Sequence, residues 1–220
     1  MQRIQHNLLS LGLFCALLTT SVLAQDAGKV NDTLLGATGP FEDMVGPALA
    51  KNDKGVAKRL AAADQQAEAV KKVLPTDAAQ QFEQLLQTIH KAAESKDDMK
   101  VAENAVALFR LLVDNLKADS LKIPKEVALL DYAGYKLQVL AAAERPDWAA
   151  MSKVAADADT WWQAIAKTKV SEKNLRATVT STIGGLKQAT KEKDLSMLKF
   201  AAQIDLDLVD LLEGHFKSKK

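Results

Sequence analysis

The sequence predicts an all-α protein, built as duplicated up-down four-helix bundles: four helical hairpins, eight helices. Three observations carry this. Alanine is abundant while β-branched runs and glycine turns are scarce, which favours helix. Apolar residues recur at helical spacing along most of the chain. And four times an alanine-rich stretch stops at a short charged turn and an Asp precedes a new amphipathic stretch: Lys51-Asn52-Asp53, Ser95-Lys96-Asp97-Asp98, Arg145-Pro146-Asp147 and Glu192-Lys193-Asp194. From Asp53 to Asp98, Asp147 and Asp194 the steps are 45, 49 and 47 residues. A recurrence of that size, made only of helical pattern, marks repeated helical units.

Residues 1–24 read as a secretory signal. Arg3 supplies the positive start, Leu8 to Leu18 is apolar apart from Ser10, and Ser21-Val22-Leu23-Ala24 places small residues before Gln25. Cys15 follows Phe14, where a lipobox needs a small residue, so it is expected to leave with the signal. Of the 220 residues, 196 then remain, with no cysteine. Disulfides, thiolate metal sites, thiol nucleophiles and covalently attached haem all need that residue type. A cysteine-free secreted chain fits a bacterial envelope, so a periplasmic location is expected. No later stretch is apolar enough to span a membrane, so no membrane insertion is expected after signal cleavage. Without Arg3 the balance is 28 Lys and Arg against 28 Asp and Glu. Such a neutral chain has no electrostatic footprint for nucleic acid, and the closing Lys217, Lys219 and Lys220 read as a solvated tail.

Residues 25–39, with Gly28, Gly36 and Gly39, read as a flexible leader. The first four-helix half spans 40–119. Pro40 opens a short helix with Phe41, Met44, Val45 and Ala48 on one side, weakened by Gly46-Pro47. Val56, Leu60, Ala63, Ala67, Val70 and Leu74 form one face of the next helix, which Pro75 ends. Thr76 is placed to cap a helix with Phe82, Leu85, Leu86, Ile89 and Ala93 inward. Asp98 or Asp97 caps another, with Ala102, Ala105, Val106, Phe109, Leu112, Val113 and Leu116 inward. Residues 118–125 form the internal boundary.

The second four-helix half spans 120–220. Its stripes are Leu130, Ala133, Leu137, Leu140 and Ala141, then Met151, Val154, Ala158, Trp161, Trp162 and Ile165. Ser171 is placed to cap a helix with Leu175, Val179, Thr182, Leu186 and Ala189. The last helix, Leu195 to about Phe216, is expected to bury Met197, Ala201, Ile204, Leu208, Leu211 and Leu212. Leu111-Leu112-Val113-Asp114-Asn115-Leu116 parallels Asp207-Leu208-Val209-Asp210-Leu211-Leu212, which supports a duplication. Short turns make neighbouring helices antiparallel. An open stack of four hairpins is the alternative.

The duplication isolates one residue. Asp205 occupies the place of Phe109, a core position of the first half. A carboxylate on a core face must be paired, metal-bound or beside solvent. Asp131 is the expected partner, the two sharing a divalent metal through oxygen ligands, with Tyr132 and Tyr135 as hydrogen-bond donors nearby. The plain alternative puts Asp205 wet at the stripe edge. Trp161 and Trp162 either fill the second core or, with Tyr135, line a ligand pocket. His90 shares a face with Glu94 one turn on, and reads as a metal pair or an ordinary helix histidine. His215 reads as a ligand-pocket candidate or as a favourably placed charge at a helix C-terminus. No Glu-x-x-His, His-Glu-x-x-His, glycine-rich phosphate loop or Gly-x-Ser-x-Gly occurs, so no catalytic residue is assigned and the chain is read as non-enzymatic.

Met44 on the first helix and His215 on the last invite one comparison. The layout of each half resembles that of the soluble b-type cytochromes of the four-helix-bundle kind. That resemblance implies haem held between a Met and a His, and an electron-carrier role. It covers topology along most of the chain, but no intact ligand pair falls within one half. Taken together, the sequence points to a periplasmic helical binding or interaction protein. A metal ion or small ligand in the second half, haem, or a protein partner in the cell envelope met by a chaperone-like adaptor are its open readings.

Overall fold

A computed structural model describes residues 27–167 and 169–218. The expected signal at 1–24, the first two leader positions and the terminal Lys219-Lys220 lie outside the described residues. Those described are helical, with no strand among them.

The expected leader is largely helix. Residues 27–36 form α1, and a turn at Ala37-Thr38 leads into α2, Gly39–Leu49. Leu34 is wholly buried and Ala37 nearly so. Buried Asn31 donates to the Lys117 carbonyl and the Ser120 hydroxyl, both at 2.9 Å, and accepts from the Lys117 amide at 2.7 Å. The segment is therefore tied 86 residues down the chain. Flexibility fails here because Val30, Leu34, Ala37 and Phe41 make one apolar stripe that the glycines do not interrupt.

The chain continues through α3 (Asp53–Val73), α4 (Thr76–Glu94), α5 (Asp98–Asp114), a 3₁₀ turn at Ala118–Ser120, α6 (Lys125–Ala142), α7 (Trp148–Ala166), α8 (Lys173–Glu192) and α9 (Leu195–Ser218). Helix α2 packs on α3 and α5, and α4 on the same two. Likewise α6 packs on α7 and α9, and α8 on the same two. Helices α5 and α2 both touch α6. Two buried clusters result. One centres on Phe41, Phe82 and Phe109, the other on Trp162, Met151 and Leu137.

The charged turns work as stop and start together. Lys51, Lys96 and Lys193 adopt φ of 54°, 56° and 58°. After each, an amide reaches back five residues: Asn52 to Pro47, Asp97 to Ala92 and Asp194 to Ala189. This closes the preceding helix with a left-handed residue. The same Asn52, Asp97 and Asp194 then cap the next helix, accepting from the amides of Gly55, Lys100 and Met197 at 3.0, 3.1 and 2.9 Å. Asp147 caps α7 through the Ala150 amide at 2.9 Å. The first cap is thus Asn52, one residue before the expected Asp53. Pro75 rather than Thr76 precedes α4, with no side-chain cap, and Glu172 rather than Ser171 caps α8. At Gly55 an added Cβ would lie 2.8 Å from the Pro47 ring, so the α2–α3 turn needs glycine there.

Helix α9 is rotated from the expected phase. Leu198, Ala201, Ala202, Asp205, Leu208, Val209, Leu212 and Phe216 face inward. Met197 and Ile204 are only partly buried, and Leu211 is 59% exposed. Asp205 therefore sits in mid-stripe, not at a wet edge.

Candidate acidic cleft

Three helices meet where the two packed sets join: α2, α6 and α9. They enclose an open cleft of about 520 Å³. Among the described residues, six carboxylates line it and neither lysine nor arginine does. Glu42 and Asp43 come from α2, Asp131 from α6, and Asp207, Asp210 and Glu213 from α9. The three acids of α9 lie three residues apart, so they share one face of the helix. Tyr135 stands one turn beyond Asp131 on the same face of α6, its ring edge-on to Phe109 at 6.3 Å.

Part of this charge is compensated. Arg59 pairs with Asp43 at 3.0 Å and Lys217 with Glu213 at 2.6 Å. Gln203 donates to Asp207 at 3.1 Å and itself accepts from Gln138 at 3.0 Å, bridging α6 and α9. Glu42, Asp131 and Asp210 form no ion pair among the described residues. Burial, then the charges of Glu42, Glu213, Asp205 and Asp210, push the Asp131 carboxyl up to about 9. Burial also raises Glu42; the Thr38 hydroxyl opposes this by hydrogen bonding, and Glu213, Asp43 and Asp210 add to it. Burial and then Asp131 raise the Tyr135 phenol. Burial first, and the surrounding acids after it, thus favour the protonated form of Asp131.

Asp205 lies beside the cleft, not in it. It is 1% exposed, its Oδ2 has no hydrogen-bond partner among the described residues, and burial lifts its carboxyl to about 7. It faces Gly134 of α6. A Cβ at Gly134 would meet Oδ2 at 3.3 Å and the Leu206 side chain at 2.5 Å. Glycine here lets α9 press against α6. Asp131 and Asp205 are close enough for one charge to act on the other, but among the described residues no three His, Cys, Asp or Glu side chains converge to hold a metal ion.

Trp161 and Trp162 meet different neighbours. Trp162 is wholly buried and donates from Nε1 to the Thr180 hydroxyl at 2.9 Å. Trp161 faces the other way, edge-on to Tyr132 at 6.2 Å. The Arg110 guanidinium lies 4.9 Å from the Tyr132 ring centre and 5.1 Å from that of Trp161. This stack joins α5, α6 and α7. His90 meets Asp64 of α3 at 2.9 Å rather than Glu94. His215 lies in the last turn of α9, edge-on to Phe216 at 5.3 Å and lining a shallow groove against α8. Met44 is buried in the first core, so the structure does not bring it to His215.

Of the cleft, sequence pattern alone points to Asp131 and Tyr135. In that pattern Asp210 reads as solvated, and Glu42, Asp43, Asp207 and Glu213 do not stand out. The three-residue spacing of acids in α9 is a readable signal; the approach of α2 is not. Comparison with family models, curated proteins and solved structures gives no match.

Proposed function

We propose that this chain is a non-enzymatic binding protein of the cell envelope whose ligand is an organic polycation, a diamine or polyamine, held in the α2–α6–α9 cleft. The observation that carries the reading is the convergence of six carboxylates from three helices on one cleft that, among the described residues, no lysine or arginine lines. A volume of about 520 Å³ suits a small molecule. The raised Asp131 carboxyl supports the same reading, since a cation in the cleft favours its ionised form. Acids strung along a trough suit amines spaced along a chain better than one metal ion. The envelope location rests on the signal-like pattern of residues 1–24.

The reading includes the duplication, which accounts for where the site lies. Phe82, Leu86, Ile89 and Ala92 of α4 correspond to Val179, Ile183, Leu186 and Ala189 of α8, all buried. Val56, Leu60, Ala63 and Val70 of α3 correspond to Met151, Ala155, Ala158 and Ile165 of α7. Aligned helix by helix on their buried stripes, Phe109 of α5 matches Asp205 of α9, and Phe41 of α2 matches Gly134 of α6. Two core phenylalanines of the first unit thus become an acid and a glycine facing one another. On this reading the second unit gave up packing at the α6–α9 seam, and the cleft opened beside it.

Calorimetric titration tests the proposal. Spermidine is expected to bind the wild-type protein, more weakly as salt rises. The double variant Asp207→Asn/Asp210→Asn should bind at least about tenfold more weakly, since each lost charge contact costs on the order of 1 kcal/mol. No heat with spermidine or putrescine would defeat the reading. Heat with calcium or magnesium that Asp205→Ala abolishes would replace it with a metal pair at Asp131 and Asp205.

A further inference from the structure

A second chamber adjoins the cleft. It measures about 300 Å³ and is walled by Leu35 of α1, Leu116 and Leu121 after α5, and Ile123, Pro124 and Ala128 at the start of α6. Glu42 and Glu213 line both chamber and cleft, so the two spaces share a wall. Leu35 is 42% exposed, one of three large apolar side chains so exposed among the described residues.

The chamber also has two lysines, and both are engaged. Lys217 pairs with Glu213 at 2.6 Å, and Lys125 donates to the Asp114 carbonyl at 2.8 Å. Burial lowers the Lys125 amine, which weakens it further as an anion receptor. Glu42, at the shared wall, has no cationic partner among the described residues. The charge a ligand meets on leaving the apolar chamber is therefore negative.

We infer that cleft and chamber form one composite site for a cationic amphiphile: an amine whose head lies at Glu42 in the acidic cleft and whose aliphatic tail fills the chamber under Leu121 and Ile123. The inference rests on the cation-binding reading above and deepens it. Charge complementarity fixes the head, and the apolar wall fixes the tail. A tail moved from water into apolar surroundings gains about 0.8 kcal/mol per methylene, close to fourfold in affinity.

The test is a chain-length series on the full-length protein: butylamine, hexylamine and octylamine, each below its aggregation threshold, with spermidine and octanoate as references. Affinity should climb about threefold or more with each added methylene. Ala128→Leu, which fills the chamber with a good helix former, should flatten that climb and leave spermidine binding as it is. A melting curve matching wild type shows that the variant folds; Leu121→Asn serves if it does not. Amines binding independently of chain length, while spermidine still binds, would overturn the inference and leave the cleft reading standing. Octanoate binding as tightly as octylamine would overturn it too, since the lysines would then be reading an anion. Failure of every amine, spermidine included, would defeat the underlying reading and this one with it.

Discussion

Asp205 concentrates the residue-scale physics. In the unfolded chain its carboxyl ionises near 3.8, and in the folded protein at about 7. The folded state holds the extra proton between those values, so stability is greatest below the lower one and falls as pH rises through the window. At about 1.4 kcal/mol for each pH unit that separates the two midpoints, the loss is on the order of a few kcal/mol. Asp205→Asn should therefore lessen the fall in denaturant-measured stability between about pH 5 and 7, leaving the part contributed by the raised Asp131 carboxyl; an undiminished slope would place its origin elsewhere. Gly134→Ala should destabilise by about 1–3 kcal/mol, because the new methyl lands 2.5 Å from Leu206. Pairing it with Leu206→Ala should recover part of the loss. That an acid, Asp205, falls near the apolar stripe of α9 was legible in sequence. Its burial was not, since the leucines of α9 allow two phases and packing on α6 chooses between them. Nor did Trp161 and Trp162 declare their separate roles: adjacent residues of a helix point about 100° apart, and only the arrival of Arg110 and Tyr132 shows where Trp161 goes.

At the scale of elements, the charged turns were the most readable feature, yet the division of labour within them was not. Asp and Asn cap the following helix, while the preceding Lys carries the left-handed residue that closes the helix before. Lys is a poor choice for positive φ by sterics alone. Replacing Lys193 by Gly should stabilise the protein by about 0.5–1 kcal/mol, read as a shift in the thermal midpoint. Asp97→Ala and Asp147→Ala should each cost about 1 kcal/mol, since each leaves a helical amide without its acceptor. Helix α1 was hidden by its glycines. Its stripe runs on into α2 through Leu34, Ala37 and Phe41, and Asn31 fastens it to a connector far along the chain, a contact no local pattern reveals.

For the molecule as a whole, the consequential contact is α6 with α2, α5 and α9. All-helical structure was legible because helical spacing is local; the cleft was not, because it needs α2 to meet a helix some 90 residues away. Arg110, stacked on Tyr132 and Trp161 and bonded to Asp114 at 2.7 Å, is the polar anchor of that junction. Arg110→Ala should cost about 1–2 kcal/mol by denaturant unfolding, through lost stacking and lost cover for both rings. The proposed cation site turns on Glu42, Asp131 and Asp210, the cleft acids that form no ion pair among the described residues. Carboxyl carbon NMR across a pH titration, with and without spermidine, tests it most directly. An Asp131 midpoint near 9 that falls when spermidine is added is the expected result. An Asp131 carboxyl titrating near 4, unmoved by spermidine, would contradict it.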